Sequence, residues 1–290
     1  MKKIAILGCE NSHANNFLEY IFSREDYSKE IEIVGVYSNE VAAVKNLNEK
    51  YGVPIMENYS DAQGKIDGLI ITARHGALHY EYAKPYIDSG VPMFIDKPIT
   101  VDGPEAAEFM RELAKANIRI CGGSSLKHDK TVKELKAIRV ASDKTLGGVV
   151  RAPLDSNSVY GGFYFYAQHL VEIVLEIFGR YPISVSAKRN GEQTLVTFTY
   201  DGFCVSGFFT EHNSVYYACH FSGKTTAGGE LTCTEDNNWF RCEFDEFYNL
   251  LMGEEPKISY ADFISPVFVM NAIERSLAGG KEETVNYINV

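Results

Sequence analysis

The segment Phe94-Ile95-Asp96-Lys97-Pro98 closes a short apolar run with a lysine. A lysine at the carboxyl end of a buried strand can give a proton to a substrate oxygen or take one from it, provided burial draws its pKa toward working pH. The proline that follows holds the lysine backbone extended and aims its side chain at the strand's carboxyl edge. Asp96, if close to the ammonium, opposes that shift. The same tripeptide also suits a surface turn. His169 is the second candidate for acid/base work, in a helical stretch entered through Gly161-Gly162-Phe163. Glu172 follows on the same helix face and offers a carboxylate. Tyr160, Tyr164 and Tyr166 offer hydroxyls, although aromatic residues entering a helix also serve packing.

A phosphate-bearing ligand has one natural seat in such a chain, the turn after the first strand, where glycines allow tight backbone and close approach. The sequence there is Gly8-Cys9-Glu10-Asn11-Ser12-His13, so a G-x-G-x-x-G pattern keeps its first glycine and has Glu10 and His13 at the other two. A Glu10 carboxylate aimed at a pyrophosphate about 5 Å away would cost roughly 3 kcal/mol at an effective dielectric of 20. Asn11 and Ser12 can still donate hydrogen bonds at the helix start. A capped strand-to-helix turn without a ligand explains the segment equally well. The second strand ends Tyr37-Ser38-Asn39, without the acidic residue that commonly holds an adenosine ribose. Ser38 therefore permits a 2′-phosphate, with no adjacent arginine to attract one. Thr72, Arg74 and His75 lie after a third apolar run and are further candidates to touch a cofactor or an anionic substrate group. His75 and His79 stand four residues apart, but no third ligand is spaced to complete a metal site.

The elements that must position these residues fall into two textures. Up to about residue 122, short apolar runs (Ile4–Leu7, Ile31–Tyr37, Gly68–Thr72, Val91–Ile95, Arg119–Cys121) alternate with helical stretches (Ala14–Phe22, Glu40–Tyr51, Leu78–Ser89, Pro104–Ala116). Alternation of this kind means a parallel sheet with right-handed crossovers, a doubly wound or Rossmann-type domain spanning residues 1–122. Asp102 is placed to cap the last of these helices, with Pro104 in its first turn. Residues 123–290 read as an α+β domain. Helices are expected near Asp129–Val140, Phe165–Phe178 and Tyr260–Leu277. Strands at Ile183–Ala187, Gln193–Tyr200, Phe203–Thr210, Val215–Phe221 and Glu230–Thr234 form a largely antiparallel open sheet, with Asp201-Gly202 as a hairpin turn.

Composition narrows the function classes. With 28 basic and 39 acidic residues the formal charge is −11, a balance that repels nucleic-acid backbones and anionic lipid. Six scattered cysteines without a CxxC pair suit reduced thiols in a chain of this size. The apolar stretch near the start, Ile4–Leu7, is shorter than the ~7–15 residues of a leader, and no run approaches a membrane span. A cytoplasmic protein with no nucleic-acid or membrane partner is expected.

Asp96-Lys97-Pro98, with the opening Ile6-Leu7-Gly8 and the segment from Thr72 to His79, resembles the Glu-Lys-Pro signature of the Gfo/Idh/MocA oxidoreductases. Gly161-Gly162-Phe163 through His169 is similar to that family's glycine-rich D-x-x-x-H helix, and Glu246-Phe247-Tyr248 through Glu274-Arg275-Ser276 to its closing segment. The resemblance touches nearly the whole chain, the central sheet in texture only. It implies NAD or NADP bound across the first domain, with a sugar, cyclitol or related hydroxyl or ketone compound between it and the second. Lys97 would exchange the proton on the substrate oxygen and His169 would assist. Gly8, Asn11, Ser12, Ser38, Thr72, Arg74, His75, Asp96 and Lys97 would meet the cofactor, and Lys97, Tyr164, His169 and Glu172 the substrate, with no metal required. A homodimer or homotetramer through the open face of the C-terminal sheet is implied as well, using Phe203, Val205, Phe208, Phe209 and Val215-Tyr216-Tyr217. The family's aspartate four residues before its histidine corresponds to Phe165. That change, with Glu10 and His13, motivates a second hypothesis: a non-catalytic sugar-binding or regulatory relative that has lost efficient dinucleotide binding.

Overall fold

In the computed structural model, which describes residues 1–290, strands β1 (Lys2–Leu7), β2 (Ile31–Tyr37), β3 (Gly68–Ile71), β4 (Met93–Asp96) and β5 (Ile120–Gly123) form a parallel sheet ordered β2-β1-β3-β4-β5. Ile4 to Leu7 and Leu69 to Ile71 are wholly buried, as continuous apolar runs must be when helices cover both faces. Helices α1 (Ser12–Ser23), α2 (Glu25–Glu30), α3 (Val41–Tyr51), α4 (Ala77–Ala83) and α5 (Gly103–Lys115) make the connections. The chain reverses its direction of travel across the sheet between β1 and β3. A ligand of such a sheet lies outside the carboxyl ends of the strands at that point.

Helix α1 buries His13, Ala14, Phe17, Leu18 and Ile21 on one stripe, and Asn11 caps it by accepting from the His13 amide. Asp102 caps α5 through the Glu105 amide at 2.9 Å, as its position in the sequence suggests. The expected helix Leu78–Ser89 is instead two pieces. α4 stops at Ala83 and a 3₁₀ turn covers Lys84–Ser89, because Pro85 lacks an amide hydrogen and its ring collides with a continuing helix.

The second sheet contains β6 (Thr145–Leu154), β7 (Ser184–Asn190), β8 (Gln193–Tyr200), β9 (Phe203–Glu211), β10 (Tyr216–Ser222), β11 (Thr226–Leu231) and β12 (Glu283–Thr284) in the order β11-β10-β6-β9-β8-β7-β12. It is antiparallel except for the pair β6–β9. β6 is a ten-residue central strand that is absent from the expected elements. Both glycines are demanded by crowding. A Cβ on Gly147 would stand 2.4 Å from the Cys204 carbonyl oxygen, and one on Gly148 2.2 Å from the Phe178 ring. β11 lies upstream of its expected place, with Thr226 opposite Phe221 and Leu231 opposite Tyr216.

Helices α6 (Lys130–Ala141), α7 (Tyr164–Phe178), α8 (Trp239–Leu251) and α9 (Tyr260–Gly279) complete the chain. α7 is buried almost all round. α8 returns to the first sheet, where Phe244, Phe247, Leu250 and Leu251 join Ile4, Ile6 and Phe17 in one apolar cluster. That return carries Trp239 and Phe240 to the carboxyl edge of the parallel sheet.

Candidate active site

Between the two sheets lies a cavity of about 240 Å³ lined by Asn11, Ser12, His13, Arg74, Lys97, Ser125, Leu126, Phe165, Tyr166, His169, Tyr216, Trp239 and Phe240. Lys97 enters it from the end of β4, preceding a cis Lys97–Pro98 peptide bond. Its ammonium donates to the Phe165 carbonyl at 3.0 Å and lies 4.5 Å from the Phe165 ring centroid and 5.2 Å from that of Tyr166. An ammonium has three donors, so this single hydrogen bond leaves two for a ligand. Burial pulls the Lys97 pKa below its ordinary value, with Arg74 adding to the effect while Asp96 and Glu243 oppose it.

His169 reaches the cavity from the first turns of α7. The Ser124 hydroxyl lies 2.7 Å from its Nδ1 and accepts from the Leu126 amide, and its own hydrogen is assigned to the imidazole. On that hydrogen-bond assignment Nδ1 is the acceptor and Nε2 carries the proton. Nε2 makes no hydrogen bond within the protein. Burial, then the charges of Lys97 and His13, hold the His169 pKa well below the usual histidine value. At neutral pH the imidazole is thus an uncharged N–H donor, and the adjacent lysine is the group with a proton to exchange.

The turn after β1 has been rebuilt around side chains. Gly8 sits at φ +79°, and a Cβ there would be 2.2 Å from the Ala73 amide nitrogen, so glycine is obligatory. Thr72 is fully buried and donates to the Gly8 carbonyl at 3.0 Å, locking the turn instead of facing a ligand. Glu10 does not aim at the amides of α1. Its Oε2 accepts from the Ser38 hydroxyl at 2.5 Å and its Oε1 from the Arg74 amide at 2.9 Å. The carboxylate missing from the end of β2 is therefore supplied by the first turn, which corrects the expectation of a permissive Ser38. His13, at the third glycine position, turns inward, with Nδ1 2.6 Å from Asp96 Oδ2 and Nε2 3.5 Å from Glu243 Oε2.

Other expected site residues lie elsewhere. Asp96 is completely buried and is consumed by Asn11 Nδ2 at 2.7 Å, His13 and the Lys97 amide; it braces the turn and the lysine and has no surface for a cofactor. Glu172 is also buried beneath β5, accepting from the Ser124 amide and Gln168 Nε2, and it lines no part of the cavity. Tyr164 bonds Glu274 and Asn271 of α9. With His75 it borders a separate open groove of about 700 Å³ on the other side of the Gly161-Gly162 loop. Arg74 does reach the cavity, and its guanidinium also donates to the Tyr160 hydroxyl, which in turn donates to Glu40 Oε1 at 3.0 Å. Sequence patterning missed Tyr216, Trp239 and Phe240, which come from distant segments. It flagged His13 only as a lost glycine.

A dinucleotide would need a tight turn at Gly8, polar groups at the start of α1 and an open nicotinamide end. The residues present fit. Gly8 supplies the turn, Asn11 and Ser12 face the cavity, and the Glu10 carboxylate is tied back toward β2 and β3. No metal is suggested, since no three His, Cys, Asp or Glu side chains stand together as ligands. No helix is long and apolar enough to cross a membrane.

Comparison with known proteins agrees with this geometry. Residues 2–123 match the model of the Gfo/Idh/MocA group, described as an oxidoreductase family with an NAD-binding Rossmann fold. Among curated proteins, no sequence matches. Among solved structures, GenD2 of gentamicin A biosynthesis, crystallised with NAD, superposes with a TM-score of 0.83 at 13% identity, over 98% of this chain and 96% of that one. Myo-inositol 2-dehydrogenase from Lactobacillus plantarum gives 0.82 at 15%, over 98% and 99%. The WlbA dehydrogenase from Bordetella pertussis, crystallised with NADH and UDP-GlcNAcA, gives 0.79 at 16%, over 98% of each chain. At such identities the superpositions establish a shared fold. The first domain thus resembles the NAD-binding domain of the Gfo/Idh/MocA oxidoreductases, and the whole chain shares the fold of these dehydrogenases.

Proposed function

We propose that the protein is a nicotinamide-dependent oxidoreductase acting on a CH–OH carbon, or the corresponding ketone, of a sugar or cyclitol. The observation that carries this is the convergence of Lys97 Nζ, the imidazole of His169 and the start of α1 on one cavity. A bound nicotinamide supplies the hydride acceptor or donor. Gly8, Asn11, Ser12 and Arg74 would hold it, with Ser38 and Glu10 toward its adenosine end. Lys97, drawn down by burial, takes the hydroxyl proton during oxidation and returns it during reduction. His169 donates from Nε2 to the same or a neighbouring substrate oxygen and fixes its direction. Tyr166, Tyr216, Trp239 and Phe240 exclude water and offer apolar faces to a ring substrate.

A thermal-shift titration with NAD, NADH, NADP and NADPH tests the first step, since a ligand at a hundredfold excess over Kd adds about 2.7 kcal/mol to native stability. A shift with a coenzyme, followed by turnover in a screen of sugars and cyclitols, is the expected result. The second hypothesis, a binding or regulatory relative, draws on the Tyr160 bridge between Glu40 and Arg74, which spans the edge of the crevice. It predicts a sugar-induced shift and none with any coenzyme.

Association of chains is proposed through the outer face of the second sheet. Leu195, Phe208, Arg151 and Tyr217 form a cross-strand row there, each paired with the next. Val205 and Phe209, expected on that face, point into the core instead. A monomer by light scattering at micromolar concentration would remove this proposal.

A further inference from the structure

We propose that Glu10 is the coenzyme selector: its carboxylate stands at the adenosine-ribose edge of the crevice and favours a free 2′-hydroxyl over a 2′-phosphate. This rests on the oxidoreductase reading above. In doubly wound sheets the residue ending the second strand faces that ribose and is commonly acidic. Here it is Ser38, whose hydroxyl donates to Glu10 Oε2 at 2.5 Å, so the acid reaches the same edge from the first turn. The Arg74 amide holds Oε1 at 2.9 Å, which fixes the carboxylate by both oxygens. An ionised carboxylate has about four acceptor sites. Two are occupied, and two remain for the ribose hydroxyls without breaking either bond.

Charge at this edge points the same way. Glu40 adds a second carboxylate close by: its amide donates to the Ser38 hydroxyl at 3.1 Å, and its Oε1 accepts from the Tyr160 hydroxyl. The cation of this contact set, Arg74, has its guanidinium 4.9 Å from the Tyr160 ring centroid and donates to that residue's hydroxyl, while also lining the catalytic cavity. A 2′-phosphate would bring negative charge against two carboxylates, while the Arg74 guanidinium is turned to the Tyr160 ring and the cavity.

The test is titration of NADH and NADPH into the full-length protein, with Glu10→Gln and Glu10→Ala alongside. The wild type should bind NADH at least about tenfold more tightly than NADPH, a difference of about 1.4 kcal/mol. Glu10→Gln, which keeps the side chain's size and loses its charge, should shrink that ratio about tenfold, chiefly by tightening NADPH. An unchanged ratio in Glu10→Gln, or equal tightening of both coenzymes in Glu10→Ala, would overturn the proposal; the latter would show that Glu10 merely obstructs. Neither of those results touches the oxidoreductase reading. Absence of binding in all three proteins would remove that reading and this inference with it.

Discussion

Replacing Lys97 with methionine separates a working lysine from a packed one, because the structure gives opposite expectations for rate and for stability. The ammonium is buried and paired with a backbone carbonyl and two aromatic rings, with no carboxylate bonded to it. Asp96 keeps Asn11, His13 and the Lys97 backbone amide when the ammonium is gone. The Phe165 carbonyl lies at the start of α7 and retains its place in the helical ladder. No buried charge is orphaned by the substitution, and an ammonium held down by burial is relieved. Lys97→Met should therefore change unfolding stability by less than about 1 kcal/mol, or raise it.

The rate should move by far more. A positioned acid/base group contributes about 10²–10⁴-fold, which at 1.36 kcal/mol per decade is about 3–5 kcal/mol of barrier. The assay is reduced-nicotinamide absorbance under single-turnover conditions, with coenzyme affinity measured separately by fluorescence. A rate within about threefold of wild type, at unchanged affinity, would show that Lys97 does not handle the proton. A large loss of stability with the rate intact would make it a structural lysine.

Four further outcomes follow from the same geometry. In the oxidation direction the free amine is the active form, so kcat rises with pH through a Lys97 pKa lying below the ordinary ~10.4. Because His169 is neutral well below its usual range, a limb near pH 6.5 that disappears in His169→Asn would contradict its role as an uncharged donor. Gly8→Ala places a Cβ 2.2 Å from the Ala73 amide nitrogen at a positive φ and should lower stability by about 1–3 kcal/mol in urea unfolding, together with coenzyme affinity; a loss below about 0.5 kcal/mol would mean the turn can relax. His13→Gly removes a partner of buried Asp96 and opens a hole beside Phe17 and Phe240, for an expected loss of about 3–5 kcal/mol by denaturant titration. A stabilised His13→Gly would show the histidine to be a tolerated lost glycine.

The parallel sheet is legible in the sequence because each strand is a short apolar run bounded by glycine or by a capped helix, and local patterning suffices there. β6 is not legible, since its paired glycines report the proximity of Phe178 and Cys204, which belong to other elements. The site divides along the same line. Lys97 and His169 sit in recognisable local segments, and the fold brings them to one cavity. Glu172 and Tyr164 share the helix of His169, yet only the packing of α7 against β5 and α9 decides that they face other neighbours. Trp239, Phe240 and Tyr216 enter the cavity through long-range returns of the chain that no window of sequence reveals.

The three departures from the family pattern are each answered by a specific contact, and this bears on whether the site has decayed. Glu10 in place of a glycine is held at both oxygens by Ser38 and the Arg74 amide. His13 in place of another is seated between Asp96 and Glu243 and against the Phe17 and Phe240 rings. Phe165 in place of an aspartate gives Lys97 a carbonyl and a ring face. A site drifting without function accumulates side chains that merely fit, and buried polar groups left without partners are then the first liability. At this site Glu243, with both carboxylate oxygens buried and without hydrogen-bond partners, and the neighbouring His13 Nε2 carry that signature, and burial raises the Glu243 pKa well above the ordinary carboxylate value. Exchange of an aspartate near Lys97 for an aromatic ring removes a group that would hold the ammonium's pKa up, which leaves burial to bring it down. The exchange at Phe165 thus adds no carboxylate to oppose the downward pull of burial on Lys97, while Glu10 and His13 are each held by contacts of their own.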